Sequence, residues 1–112
     1  MTRKEDDFQI EIARLLDLKN VLWTHVANER KANVSYGRKL KRMGVKSGVP
    51  DILIFEPRKN YNGLAIELKV GYNKPTTNQI KWLDDLKKRN WLALWSNSTD
   101  EVIDVITNYL KD

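Results

Sequence analysis

Two short apolar runs, Asp51-Ile52-Leu53-Ile54-Phe55 and Leu64-Ala65-Ile66-Glu67-Leu68-Lys69, are separated by a stretch holding Pro57, Asn60, Asn62 and Gly63, all turn formers. Such a pair reads as a β-hairpin with a loop of about five residues, Pro57 to Tyr61. A loop of that length closes with Glu56 opposite Asn62, and stepping back along both strands brings Asp51 directly opposite Glu67. Facing residues hold their Cβ atoms ~4.5–5.5 Å apart, where like charges destabilise a sheet. A divalent cation between them supplies a reason for the pairing, because hard cations take oxygen ligands and cancel the repulsion. A slip of one residue would put the two acids on opposite faces. Lys69 shares the face of Glu67, since strand side chains alternate, and its neighbours there, Ala65 and Gly63, are small. Ile52, Ile54, Leu64, Ile66 and Leu68 make the other face a hydrophobic slab.

The rest of the chain supplies layers for that slab. Phe8, Ile12, Leu15 and Leu16 recur at helical spacing within Lys4 to Lys19, and Glu5 falls in the middle of the stripe. Val21 to Val26 reads as a strand, and the basic stretch that follows has room for a short helix ending at Gly44. Thr76 and Gln79 stand in capping-box positions before a helix buried through Trp82, Leu83 and Leu86, with Gln79 itself centred in the apolar face. Trp91 to Trp95 is an apolar strand, and Ser98 with Glu101 forms a second capping box before a last helix carrying Val102, Ile103, Val105, Ile106 and Tyr109. The order is α-β-β-β-α-β-α, an α/β fold with one mixed central sheet flanked by helices in a single domain over residues 1–112.

Composition narrows the chemistry. There is no cysteine and only one histidine, so zinc clusters, disulfides and a thiol nucleophile are excluded and any metal must take oxygen ligands. No apolar run approaches the ~20 residues of a membrane span, and the charged N-terminal residues are unlike a signal peptide, so a cytoplasmic protein is expected. The net charge of +5 is concentrated: Arg30, Lys31, Arg38, Lys39, Lys41, Arg42 and Lys46 occur with no acid among them. A polyanion is the natural partner, with Tyr36 in the same segment as an aromatic contact to nucleic acid. His25 reads as a structural or phosphate-contacting residue instead of a general base, and Trp82, Trp91 and Trp95 read as core.

Gly48-Val49-Pro50-Asp51, then Glu67-Leu68-Lys69, then Gln79, resembles the PD-(D/E)XK nuclease superfamily and, within it, the virus-type replication-repair (VRR-Nuc) family, especially its small stand-alone phage members. The resemblance implies a restriction-endonuclease-like core and a Mg²⁺- or Mn²⁺-dependent nuclease. Asp51, Glu67 and the carbonyl of Leu68 would hold the metal, Lys69 would steady the attacking water, and Gln79 and Glu5 would complete the site. It also implies a homodimer acting on branched DNA, four-way (Holliday) junctions above all; Trp91, Trp95 and the Tyr109-Leu110 end offer either dimer contact or core. The rival readings are a nicking or restriction-like endonuclease and a catalytically silent nucleic-acid binding module, which cleavage assays with and without Mg²⁺ separate.

Overall fold

A computed structural model describes residues 3–27 and 34–112. In chain order the elements are α1 (Arg3–Lys19), β1 (Trp23–His25), α2 (Val34–Arg42), β2 (Ile52–Ile54), β3 (Leu64–Leu68), α3 (Thr77–Lys88), β4 (Leu92–Ser96) and α4 (Thr99–Leu110). The strands form one mixed sheet in the order β1-β2-β3-β4, antiparallel except for the β3–β4 pair, whose parallel alignment is made possible by the α3 crossover. The short helix in the basic segment is α2. It stops where Gly44 adopts φ +103°, with Gly44 N–H donating to the Lys41 carbonyl and Val45 N–H to that of Leu40, the paired bonds of a Schellman cap.

The alternation of β3 divides the molecule into two cores. Leu64, Ile66 and Leu68 join Ile52 and Ile54 on one face, where Phe8, Ile12 and Leu16 of α1 and Val102, Ile106 and Tyr109 of α4 cover them. Ala65 faces the other way, against Leu83 of α3 and Ala93 of β4, with Leu53, Leu86, Trp91 and Trp95 packed around them. Gly63 has to be glycine here, since a Cβ would sit 2.5 Å from the Trp91 ring. Tyr109 is buried, while Trp91, Trp95 and Leu110 are half-buried and pack against the cores, so most of the apolar surface offered for a dimer contact is used within the fold. Trp82 departs from expectation in the opposite sense: it is half-buried and belongs to neither core.

Two local expectations need correction. The second capping box is only half formed: Ser98 Oγ accepts from Glu101 N–H at 3.2 Å, but Ser98 N–H donates to the buried Ser96 hydroxyl at 3.0 Å instead of to the glutamate. The hairpin does not close through a five-residue loop. Arg58 and Tyr61 exchange backbone hydrogen bonds around Lys59 and Asn60, whose φ values of +52° and +69° are those of a tight two-residue turn.

That turn alone would pair the strands one residue out of step with the ladder. The pairing Ile54↔Leu64 leaves one more residue on the β2 side than on the β3 side before Arg58↔Tyr61 is reached. The irregular stretch is pinned at Glu56, whose carbonyl accepts the Tyr109 hydroxyl at 2.7 Å while its carboxylate accepts Leu22 N–H at 3.2 Å and pairs with Arg58 at 3.3 Å. With the offset absorbed, Ile52↔Ile66 and Leu53↔Ala65 follow the register expected from the sequence. Tyr109→Phe should leave the Glu56 carbonyl without its partner and lower stability by about 1–3 kcal/mol, measurable as a shift of the urea midpoint at constant slope.

Candidate active site

The residue before β2 is fastened to both neighbouring strands. The Asp51 carbonyl accepts Val26 N–H at 2.8 Å and lies 2.9 Å from His25 Nδ1. A carbonyl only accepts, so His25 carries a proton on Nδ1 and serves as a strut. The Asp51 carboxylate turns the other way, its Oδ2 accepting Leu68 N–H at 2.8 Å. Continuing the β2–β3 register by one step sets Asp51 opposite Glu67. Behind it, Pro50 is buried, and Gly48 (φ +84°) lies so close to α3 that a Cβ would fall 2.7 Å from the Asn78 backbone.

Glu67 is only 2% exposed. Its Oε2 lies 3.2 Å from Lys69 Nζ, while Oε1 is buried without a hydrogen-bond donor. Lys69 continues the parallel ladder, its N–H donating to the Ser96 carbonyl at 2.9 Å, so its side chain returns to the Glu67 face. Asp51, Glu67 and Lys69 are therefore brought together, and the Glu67–Lys69 contact is a buried ion pair, not a surface one. Burial first and the Asp51 charge second, opposed by Lys69, together push the Glu67 carboxyl up to about 7. Burial also raises Asp51, against the Leu68 N–H bond and the charges of His25 and Lys69. The second ionisation of the carboxyl pair is thereby moved up toward neutral pH.

An orphaned, buried carboxylate oxygen facing a second carboxylate is a donor set that suits a hard divalent cation. Among the described residues no group of three or more His, Cys, Asp or Glu side chains forms, so Glu5 does not join Asp51 and Glu67 in a three-acid cluster. The donor set is two carboxylates to be completed by backbone oxygen, water or substrate, which Mg²⁺ accepts.

The other expected residues fall in different places. Gln79 is half-buried on α3, and its Oε1 accepts Thr76 N–H at 2.8 Å, so the capping role is real and engages only the oxygen end of the amide. Arg38, Lys39, Lys41, Arg42 and Lys46 are exposed on α2 and the loop after it, and Tyr36 is half exposed on the same helix. Arg30 and Lys31 lie outside the described residues. Gln9 escaped the sequence reading: it is 8% exposed, and neither amide atom has a partner. Its signal was its place one turn beyond Glu5, on the stripe shared with Ile12 and Leu16.

A family model described as the VRR-NUC domain matches residues 3–100. Among solved structures, one described as "VRR_NUC domain protein" is similar at 28% sequence identity and a TM-score of 0.75, covering 98% of this chain and 90% of that one. No curated protein matches.

The raised carboxyl gives stability a definite pH dependence. With a folded-state value of about 7 against an ordinary 4.5, the native protein keeps a proton that the unfolded chain has released between those limits. Stability is greatest below the lower limit and falls as pH rises through the upper one. In metal-free protein the melting temperature should drop between about pH 5 and about pH 8, and Glu67→Gln should flatten that fall. Thermal melts in EDTA across this range check it.

Proposed function

Since the chain belongs to the VRR-NUC domain family, whose members are of nuclease type, we propose that it is a metal-dependent, structure-selective DNA endonuclease that resolves four-way junctions as a homodimer. The observation that carries this reading is the opposition of Asp51 and the buried, half-unpartnered Glu67 beside the Lys69 amine. Buried carboxylate oxygens in purely structural ion pairs are as a rule hydrogen-bonded.

Asp51, Glu67 and the Leu68 carbonyl would hold Mg²⁺ or Mn²⁺. A bound cation of this kind polarises the scissile phosphate, lowers the pKa of its water to give the nucleophile and stabilises the leaving oxygen. The protein's part is positional. Leu68 N–H and the His25-braced backbone fix the Asp51 carboxylate from two sides, so that only one rotamer faces Glu67. Lys69, 3.2 Å from Glu67 Oε2, orients the attacking water and offsets charge developing on the phosphate. Gln79 stands at the start of α3 with its nitrogen end outside the capping box, available to a phosphate oxygen or water. Glu5 would act from the first turn of α1 without joining the two ligating acids.

The exposed cations of α2 dock the DNA. Arg38, Lys39, Lys41 and Arg42 have no ion-pair partner among the described residues, so their charge is available to phosphates. One chain carries one such site and cuts one strand, whereas a junction requires two symmetry-related incisions, which a two-fold dimer supplies.

Incubation with duplex, flap and four-way-junction DNA in Mg²⁺ or Mn²⁺ tests the reading. Asp51→Asn and Glu67→Gln should abolish cleavage with the fold retained, and Lys69→Ala should slow single-turnover cleavage by ~10²-fold or more with little change in affinity. Cleavage by the acid variants at the parental rate would refute the site. Neutralising Arg38, Lys39, Lys41 and Arg42 together should flatten the slope of log affinity against log salt by about three to four. Light scattering should give twice the mass of one chain; a monomer that leaves junctions whole would refute the dimeric resolvase.

A further inference from the structure

Beside the Asp51 loop the surface opens into a cleft of about 300 Å³ between the end of α2 and the first turns of α3. Lys41, Lys46 and Lys81 line it, and none of the three has an ion-pair partner among the described residues. Among the described residues no acid lines the cleft. Its floor is fixed: Asn78 Nδ2 donates to Ser47 Oγ at 2.9 Å, and Gly48 is packed on the Asn78 backbone, so the two walls are joined. One wall is the Trp82 ring. This tryptophan belongs to neither core and also borders a second hollow, of about 240 Å³, next to Asp85, Leu86 and Arg89. A large aromatic side chain left between two hollows, when Leu83 beside it is buried, is not there to fill the interior.

We infer that this cleft seats one unpaired nucleotide of a nucleic-acid strand, its phosphates on Lys41, Lys46 and Lys81 and its base against Trp82. Cations that track the backbone with an aromatic face for a base are the two components of single-strand recognition. A duplex arm would satisfy the lysines, but its bases are stacked on one another and present no face to Trp82. Ser47, which lines the cleft, leads through Gly48, Val49 and Pro50 into Asp51, so the cleft and the carboxylate pair are joined by one short stretch of chain. The inference rests on the nucleic-acid-binding part of the proposed function and not on cutting. It adds Lys81 and Trp82 to the binding surface and makes an unpaired nucleotide the feature by which the site chooses its substrate.

The test uses the full chain in EDTA, so that no cleavage occurs, with fluorescently labelled oligothymidylate and an abasic oligonucleotide of equal length. Parental protein should prefer the oligothymidylate by ~10-fold or more. Trp82→Leu should remove that preference without weakening abasic binding, while Trp82→Phe should keep most of it. Lys81→Ala should weaken both ligands and lower the salt slope by about 0.7. Photocrosslinking of the parental protein to an oligonucleotide bearing 5-iodouracil should label Trp82, a readout that does not depend on any variant folding. Equal loss on both ligands in Trp82→Leu, an unchanged slope in Lys81→Ala, or a crosslink confined to another residue would overturn the seat. A protein that passes these tests yet fails to cut DNA in Mg²⁺ would overturn the cutting reading and leave the seat standing.

Discussion

Two carboxyl groups held opposite each other and away from water dominate the energetics of this molecule. Glu67 is buried, faces Asp51 and has a single amine, Lys69, to offset its charge. Neither burial nor like-charge proximity favours ionisation, and together they push the Glu67 carboxyl up to about 7 despite the Lys69 amine. Everything that positions Asp51 works against that repulsion: Leu68 N–H from β3, Val26 N–H and His25 from β1. Remove a clamp and the aspartate can swing toward solvent, which would relax the charge pair and lose the geometry. Stability and the arrangement of the site are in this sense opposed, and the hydrogen bonds to Asp51 decide the outcome.

The two-core architecture makes such a site affordable. One face of β3 is covered by α1 and α4 and carries the larger apolar cluster, so the opposite face can end in charged residues without emptying the main core. The smaller cluster around Ala65 and Ala93 brings β4 and α3 close to the sheet, and Gly63 lets the Trp91 ring lie against the backbone. Helix α3 thereby arrives with its first turn beside the Asp51 loop, held by Gly48 and the Asn78–Ser47 bond. The carboxylate face and the basic cleft are built from the same close approach.

Much of this was legible in the sequence because it rests on local rules. The alternation of Ile52, Ile54, Leu64, Ile66 and Leu68 gave the buried face, and Thr76 with Gln79 gave the start of α3, since both patterns repeat at the period of the element they build. What was not legible depended on tertiary neighbours. Ser98 looks for Glu101, but the buried Ser96 hydroxyl reaches its N–H first. Trp82 sits at core spacing on α3, yet it is half-buried and joins neither core among the described residues, a fact no helical wheel contains. Gln9 lies on the apolar stripe of α1, but that its amide is buried without a partner depends on how the helix closes on the sheet. The hairpin is the instructive case: the ladder register was right although the turn was not, because an extra residue near Glu56 compensates for a tighter turn at Lys59-Asn60.

That compensation makes the hairpin sensitive to parity. Its tip is exposed and resembles a place where length could vary freely, but β2 and β3 are coupled through it, and each single-residue change in the connection competes with the core for the phase of the strand. Insertions or deletions of two residues keep Ile52 and Ile54 inward and Asp51 across from Glu67. A single one must either be absorbed beside Glu56 and Tyr109, as the present extra residue is, or turn the aspartate toward the apolar face. Length variation in this connection should therefore run in even steps, or in odd steps accompanied by change at the Tyr109 contact.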